Sequence, residues 1–215
     1  MVIFERFKSR PISDFHDELR FEFPNLPSQL FDYYLVKSAI TMAKTGNLIR
    51  RRAIIHAESG VTRYRLESPD GMDICGIMGI HHMPDCGCHR TEVTRTFAPP
   101  VGAMSCKRDV AWYDDTEDVL RVEPSFCYGK LYIELSVSPS AGACELPEAY
   151  FTEHLDTLIM GTKGAIMLIT GRPWTNLRVG QAYQNEFLQR ITQENVRVMT
   201  HKQRGSVKMT FGRVM

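Results

Sequence analysis

Apolar and polar residues alternate in short runs along most of this chain. Alternation with period two puts successive side chains on opposite faces of a strand, one toward a core and one toward water. "LRFEF" (19–23) shows it, as do "RRAIIHA" (51–57) and "VTRYRLE" (61–67). The last two flank Glu58-Ser59-Gly60, which predicts a hairpin turn. "MDICGIMGI" (72–80), "TEVTRTF" (91–97), "VLRVE" (119–123), "KLYIELSV" (130–137) and "AIMLIT" (165–170) read as further strands. "NVRVMT" (195–200) and "SVKMTF" (206–211) complete the set around "HKQRG" (201–205), a second hairpin candidate.

Three segments carry the helical period instead. "PSQLFDYYLVKSAITMAKTG" aligns Leu30, Phe31, Tyr34, Leu35, Ala39 and Met42, with Ser28 placed to cap it and Gly46 to stop it. "LPEAYFTEHLDTLIMG" aligns Tyr150, Phe151, Leu155, Leu158 and Ile159, with Pro147 at the first helical position and Gly161 at the end. "VGQAYQNEFLQRIT" aligns Tyr183, Phe187, Leu188 and Ile191. No repeat, low-complexity tract or long linker divides the chain. The expected architecture is therefore one mainly β domain over residues 1–215, an antiparallel β-sandwich with about three peripheral helices.

Composition narrows the function classes. The chain has 215 residues, 43% hydrophobic and 24% charged, which suits a folded domain with a real core. Its longest clean apolar run, Ala165 to Ile169, is far too short to span a bilayer, and "MVIFERFKSR" has no long apolar segment of the kind a signal peptide needs. No membrane partner is expected. A net charge of +1 lacks the broad basic excess of a nucleic-acid binder and leaves little long-range repulsion between copies. The densest basic run, Arg50-Arg51-Arg52, reads as an exposed strand start, the alternative being a nuclear-targeting or phosphate-binding patch.

Candidate chemistry concentrates in "IHHMPDCGCHR" (80–90), where His81, His82, Cys86, Cys88 and His89 fall close together. A structural zinc site wants paired Cys-x2–4-Cys or spaced His knuckles, whereas Cys86-Gly87-Cys88 is Cys-x-Cys with no second knuckle. Adjacent His81 and His82 point to opposite faces if the strand continues through them. The alternative is a soluble β-sandwich binding module with a zinc-stabilised loop at 81–89. Zinc-deaminase, Gly-x-Ser-x-Gly, phosphate-loop and His-Glu-x-x-His signatures are all missing from the sequence. The carboxylates of "YDDTED" (113–118) read as a solvated loop, otherwise as a cation site or a contact between copies. No enzymatic activity and no cofactor is expected.

"EDVLRVEPSF" (117–126) resembles the polyhedrin and granulin family, the occlusion-body matrix proteins of insect baculoviruses. An Asp-Val pair and an Arg precede Val-Glu-Pro-Ser and an aromatic residue, here Asp118, Val119, Arg121, Val122, Glu123, Pro124, Ser125 and Phe126. The likeness continues through "YIELSVSPSAGACELPEAYFTEHLDTLI", with a Tyr-led strand, a small-residue turn, Cys144 and a Tyr-containing helix in the same order. Cys106, "GMDICGI" and "IFERFKSRPISDF" are similar more weakly, and good similarity covers about a quarter of the chain. The lysine-rich nuclear signal of many polyhedrins is absent, and neither the helix at 28–45 nor "HHMPDCGCHR" has a counterpart. A divergent member, such as a nudivirus polyhedrin, fits these departures.

The resemblance implies a jelly-roll-like sandwich that trimerises and packs into a crystal around virions. Such proteins accumulate in the infected cell nucleus and then form the extracellular occlusion body. They have no catalytic site, and their crystal dissolves in strong alkali. Another alternative is a jelly-roll capsid subunit. Alkaline release has titratable candidates in Tyr33, Tyr34, Tyr64, Tyr113, Tyr128, Tyr132, Tyr150 and Tyr183. Tyr titrates at about 10 and Lys at about 10.4. Loss of a proton from all eight tyrosines and eight lysines would carry the charge from +1 to about −15. Cys75, Cys86, Cys88, Cys106, Cys127 and Cys144 are thiols in a reducing nucleus and candidate staples, within or between chains, once a lattice meets air. Glu123 and Pro124 are expected to end a strand and turn the chain.

Overall fold

The computed structural model describes residues 2–4, 8–68, 71–84, 91–95, 110–114, 117–123 and 128–204. In chain order these form β1 (Val2–Phe4), β2 (Ser9–Pro11), a 3-10 turn (Ile12–Phe15), α1 (Asp17–Arg20), α2 (Ser28–Gly46), β3 (Arg50–Ala57) and β4 (Arg63–Arg65). β5 (Met72–Pro84), β6 (Thr91–Glu92), β7 (Thr94–Arg95), β8 (Val110–Asp114), β9 (Val119–Glu123), β10 (Gly129–Pro139) and β11 (Glu145–Pro147) follow. Three helices close the described chain: α3 (Ala149–Thr152), α4 (Leu155–Met167) and α5 (Leu177–Arg204).

Three sheets result. The largest is antiparallel with order β1-β3-β10-β5-β6. The second has order β4-β9-β8-β7, with β7 and β8 parallel, and the third pairs β11 with β2. The first two meet where the chain passes from β6 to β7 through a single residue. That residue, Val93, is buried and its N–H donates to the Ile80 carbonyl. β5 also packs on β7 and β8.

β10 is the central strand because its period-two pattern supplies Leu131, Ile133, Leu135 and Val137 to one buried row. In register, Leu131 lies between Ile55 and His82, and Ile133 between Ala53 and Ile80. From Leu135 to Pro139 every residue is buried, so both faces of the strand are covered there, and α2 packs on it. The strand begins at Gly129, where a Cβ would stand 2.4 Å from the Met83 carbonyl oxygen, so only glycine lets β5 and β10 approach so closely.

α2, α4 and α5 pack on one another. α2 buries Phe31, Leu35, Ala39 and Met42, the stripe expected from its sequence. It is capped differently than expected. Ser28 makes no side-chain cap bond, and the helix runs through Gly46 to Asn47, whose left-handed φ of 51° ends it as its N–H reaches the Ala43 carbonyl.

Several expected strands are helical. In "LRFEF" Leu19 and Phe23 are buried while Phe21 points out, the four-residue spacing of the helical turn begun by α1. Residues 165–170 continue α4 and its C-terminal turn, and 195–200 belong to α5. Period-two valines at 196 and 198 did not decide that segment. Phe187, Ile191 and Asn195 extend the helical stripe onto the helices beside it, Asn195 donating to the Thr45 carbonyl of α2 at 3.0 Å. Residues 206–211 lie outside the described chain. The turn at 58–60 forms, with Gly60 at φ 85°, yet β3 pairs with β1 and β10 while β4 pairs with β9, so no hairpin results.

The segment 146–161 is not one helix. Pro147 closes β11, α3 is a single turn, and the chain breaks at Glu153-His154 before α4. Gly161 is internal to α4 rather than its end. A Cβ on it would stand 2.6 Å from the Phe187 ring, so the glycine lets α5 seat its aromatic against the α4 backbone. Gly164 beside Gln184 and Gly180 beside Gly164 repeat the same close approach.

Candidate functional site

β5 settles how the two adjacent histidines are used. His82 turns inward and is buried opposite Leu131, while His81 lies half-buried on the outer face opposite Tyr132. Their divergence follows from the strand pleat, and they cannot share an ion. Cys86, Cys88 and His89 lie outside the described residues. Among the described residues no group of three or more His, Cys, Asp or Glu side chains is placed to hold a metal.

The outer face of β3, β10 and β5 gathers basic, acidic, aromatic and aliphatic side chains. The pleat divides the triple arginine: Arg51 is buried, while Arg50 and Arg52 point outward with Ile54 and His56. β10 adds Lys130, Tyr132 and Glu134, and β5 adds His81 and Met83. Cross-strand rows follow from the register. Arg52 faces Glu134, Ile54 and His81 flank Tyr132, and His56 and Met83 flank Lys130. Arg50 bridges to Glu134 at 3.3 Å. Arg52, His56 and Lys130 are exposed and make no salt bridge with the described residues. An apolar and aromatic middle row is thus bordered by cations.

The carboxylates at 113–118 organise a turn. Arg121 bridges to Asp114 at 3.1 Å and Glu117 at 2.7 Å, and the Tyr113 hydroxyl donates to Asp118 at 2.7 Å. Asp118 itself takes a left-handed φ of 54°. Asp114, Glu117 and Asp118 are therefore engaged in local bonds, while Asp115 lies outside the described residues.

The tyrosines divide by environment. Tyr33 and Tyr128 are well exposed, while Tyr34, Tyr113, Tyr132 and Tyr183 are half-buried. Tyr64 is buried and ties the turn after β3, receiving the Glu58 N–H and donating to the Val61 carbonyl. Tyr150 is a correction to the expected alkaline set. It is wholly buried and donates to the Ala39 carbonyl at 2.8 Å. Burial, aided by Cys75 nearby, drives its pKa far above the ordinary range, which sets it apart from the exposed tyrosines.

Cys75 is half-buried and Cys144 is exposed, both as free thiols. Cys144 sits in a tight turn, its carbonyl receiving the Ile12 N–H. Cys106 and Cys127 lie outside the described residues, as do Pro124 and Phe126. Glu123 is the last described residue of β9.

Other polar groups stand apart from the sheet face. His16 meets Asp32 at 2.6 Å and packs edge-on against Phe31. A cleft of about 480 Å³ between the start of β3 and α3 is lined by Lys8, Arg50, Arg51, Glu148 and Glu153 among others. A second of about 470 Å³ runs along the outer side of α5, lined by Leu188, Gln189, Thr192, Gln193 and Val196. His154, at the break between α3 and α4, has its pKa lowered by burial, against the opposing pull of Glu153 and Glu194.

Sequence reasoning missed Phe21. It protrudes from the end of α1 with 95% of its surface exposed, beside the carboxylates of Asp17, Glu18 and Glu22. The signal was present: Leu19 and Phe23 at helical spacing leave a phenylalanine between them with nowhere inside to go.

No protein-family model matches the chain, and no curated protein matches it in sequence. Nine solved chains match it in structure. One is a chain from the neck of an empty GTA particle computed with C6 symmetry, 14% identical, covering 86% of this chain and 95% of that one at a TM-score of 0.30. That overlap is too low to bear on fold or function.

Proposed function

We propose that this chain is a structural protein that assembles with copies of itself into an ordered array. The observation that carries this reading is the number of large apolar side chains on the surface. Phe21, Tyr33, Met83, Tyr128, Leu188 and Val196 are all exposed. A near-neutral surface adds little repulsion between copies. Small contacts suffice, because an array multiplies each one.

The resemblance at 117–126 makes the array the crystalline matrix of a viral occlusion body, formed from trimers around virions in the infected nucleus. In that reading the five-stranded and four-stranded sheets are the two layers of a jelly-roll-like sandwich. Strong alkali releases the lattice by ionising tyrosine and lysine. With Tyr150 removed from the switch, the charge moves to about −14 rather than −15.

Expression of the chain alone in insect cells tests the reading. Refractile crystals that dissolve only as the pH rises past about 10 are the expected result. Closed rings or shells under the electron microscope would make it a virion subunit instead. Protein that stays monomeric at high concentration and neutral pH would overturn self-assembly altogether.

A further inference from the structure

We infer that copies join head to tail, the acidic α1 knob of one seating on the outer sheet face of the next. This rests on the self-assembly reading and names the surfaces it uses. The two surfaces are complementary in charge. Around α1 the exposed groups are Asp14, Asp17, Glu18 and Glu22, with Arg20 the one exposed cation among them. Glu22 is held by Lys163 of α4, and Asp17 lies 4.0 Å from Arg20, which leaves Asp14 and Glu18 without an ion pair to the described residues. On the sheet face Arg52, His56 and Lys130 border the middle row, and the carboxylate of Glu134 is engaged by Arg50.

The surfaces are also complementary in kind. Phe21 stands at the apex of the acidic knob, almost entirely in water. A large aromatic side chain held out this way is the residue type that anchors interfaces once it enters an apolar site. The sheet face has such a row in Ile54 and Tyr132, continued by His81, with Arg52 on one side of it and His56 and Lys130 on the other. Seating Phe21 on that row brings Asp17 and Glu18 toward Arg52 and Lys130. Because the two patches differ, the contact is heterologous. Repeated, it closes a ring or propagates an array.

The test uses sedimentation of the full chain over a concentration series at neutral pH. Phe21→Ala should raise the concentration of half-assembly by about tenfold or more. One double variant, Asp17→Lys with Glu18→Lys, reverses the knob, and another, Arg52→Glu with Lys130→Glu, reverses the face. Each alone should fail to assemble at wild-type concentrations. Their equimolar mixture should assemble, because each variant's reversed surface then meets the reversed surface of the other. All substituted residues are exposed, so unchanged thermal unfolding confirms that the fold persists.

Variants that assemble as the wild type does would overturn this interface and leave self-assembly standing. So would a mixture that stays dispersed. A sheet face that instead holds a single-stranded oligonucleotide, with binding lost in Arg52→Glu/Lys130→Glu and assembly unaltered, would assign the cations to a polyanion and overturn the proposal. A monomeric wild type would overturn the self-assembly reading beneath it.

Discussion

The α4–α5 crossing and the outer face of the β3–β10–β5 sheet use their residues in opposite ways. At the crossing, Gly161, Gly164 and Gly180 remove side chains so that Phe187, Gln184 and Met167 pack against backbone. Gln184 donates to the Gly161 carbonyl at 2.6 Å, so polar and apolar contacts are both satisfied within the chain. On the sheet face the side chains are long, charged or aromatic, and Arg52, His56 and Lys130 reach into solvent. One region is complete in the monomer. The other holds Arg52, His56 and Lys130 without a salt bridge to the described residues. The difference lies in whether neighbouring elements of the same chain cover the surface.

The comparison breaks most readily at Phe187. Replacing this buried ring with alanine empties the crossing and should cost about 3–5 kcal/mol, read from urea unfolding. Gly161→Ala is the converse change. Its Cβ would stand 2.6 Å from the ring, and the overpacking should cost about 1–3 kcal/mol in the same assay. The two should be strongly non-additive, because the alanine at 161 fits once the ring is gone. Strict additivity would show that the two residues do not contact each other.

Tyr150→Phe is a smaller break, within the buried region. It removes the hydrogen bond to the Ala39 carbonyl and should cost about 0.5–1.5 kcal/mol at neutral pH. It also carries a pH signature. The folded pKa is raised, so the stability due to the neutral phenol is full below about pH 10, where the unfolded chain begins to ionise, and falls as pH rises above it. The phenylalanine variant should lose less stability than the wild type above that pH. Identical slopes in the two proteins would show that Tyr150 ionises as readily folded as unfolded.

His154 gives the smallest expected effect and the opposite sign. Its folded pKa is lowered by burial, so its contribution is present above about pH 6.5 and is lost as pH falls through the folded value. Thermal unfolding of His154→Gln between neutral and mildly acid pH should show a shallower decline than the wild type. An unchanged decline would assign the acid sensitivity to other groups.

Much of the central sheet could be read from residue order alone. The alternation in "RRAIIHA", "VLRVE" and "KLYIELSV" gave β3, β9 and β10 within two residues, and β5 began where "MDICGIMGI" begins. The opposite facing of His81 and His82 followed from the pleat. The apolar stripe of α2 was equally plain. Boundaries and partners were not. "LRFEF" satisfies a strand's period, but its flanking residues Leu19 and Phe23 also satisfy a helix's, and burial against the neighbouring helices chose the latter. The valines near 196 misled for the same reason. Short apolar patterns fit two periods, and distant contacts break the tie. The outer face of the β3–β10–β5 sheet was less legible still. The triple arginine was visible, but no local pattern said that Arg52 and His56 of β3 would stand beside Lys130 of β10, a strand far away in sequence.

The sequence by itself determined which segments could bury a face, because period and apolar content are local properties. It also determined the near-neutral net charge. Only the tertiary structure decided that β3 would pair with β10 rather than β4, that α5 would run on as a helix against α4, and that Phe21 would be left in water. Each of those outcomes depends on how much surface two distant segments can remove from solvent together, a quantity that no window along the chain contains.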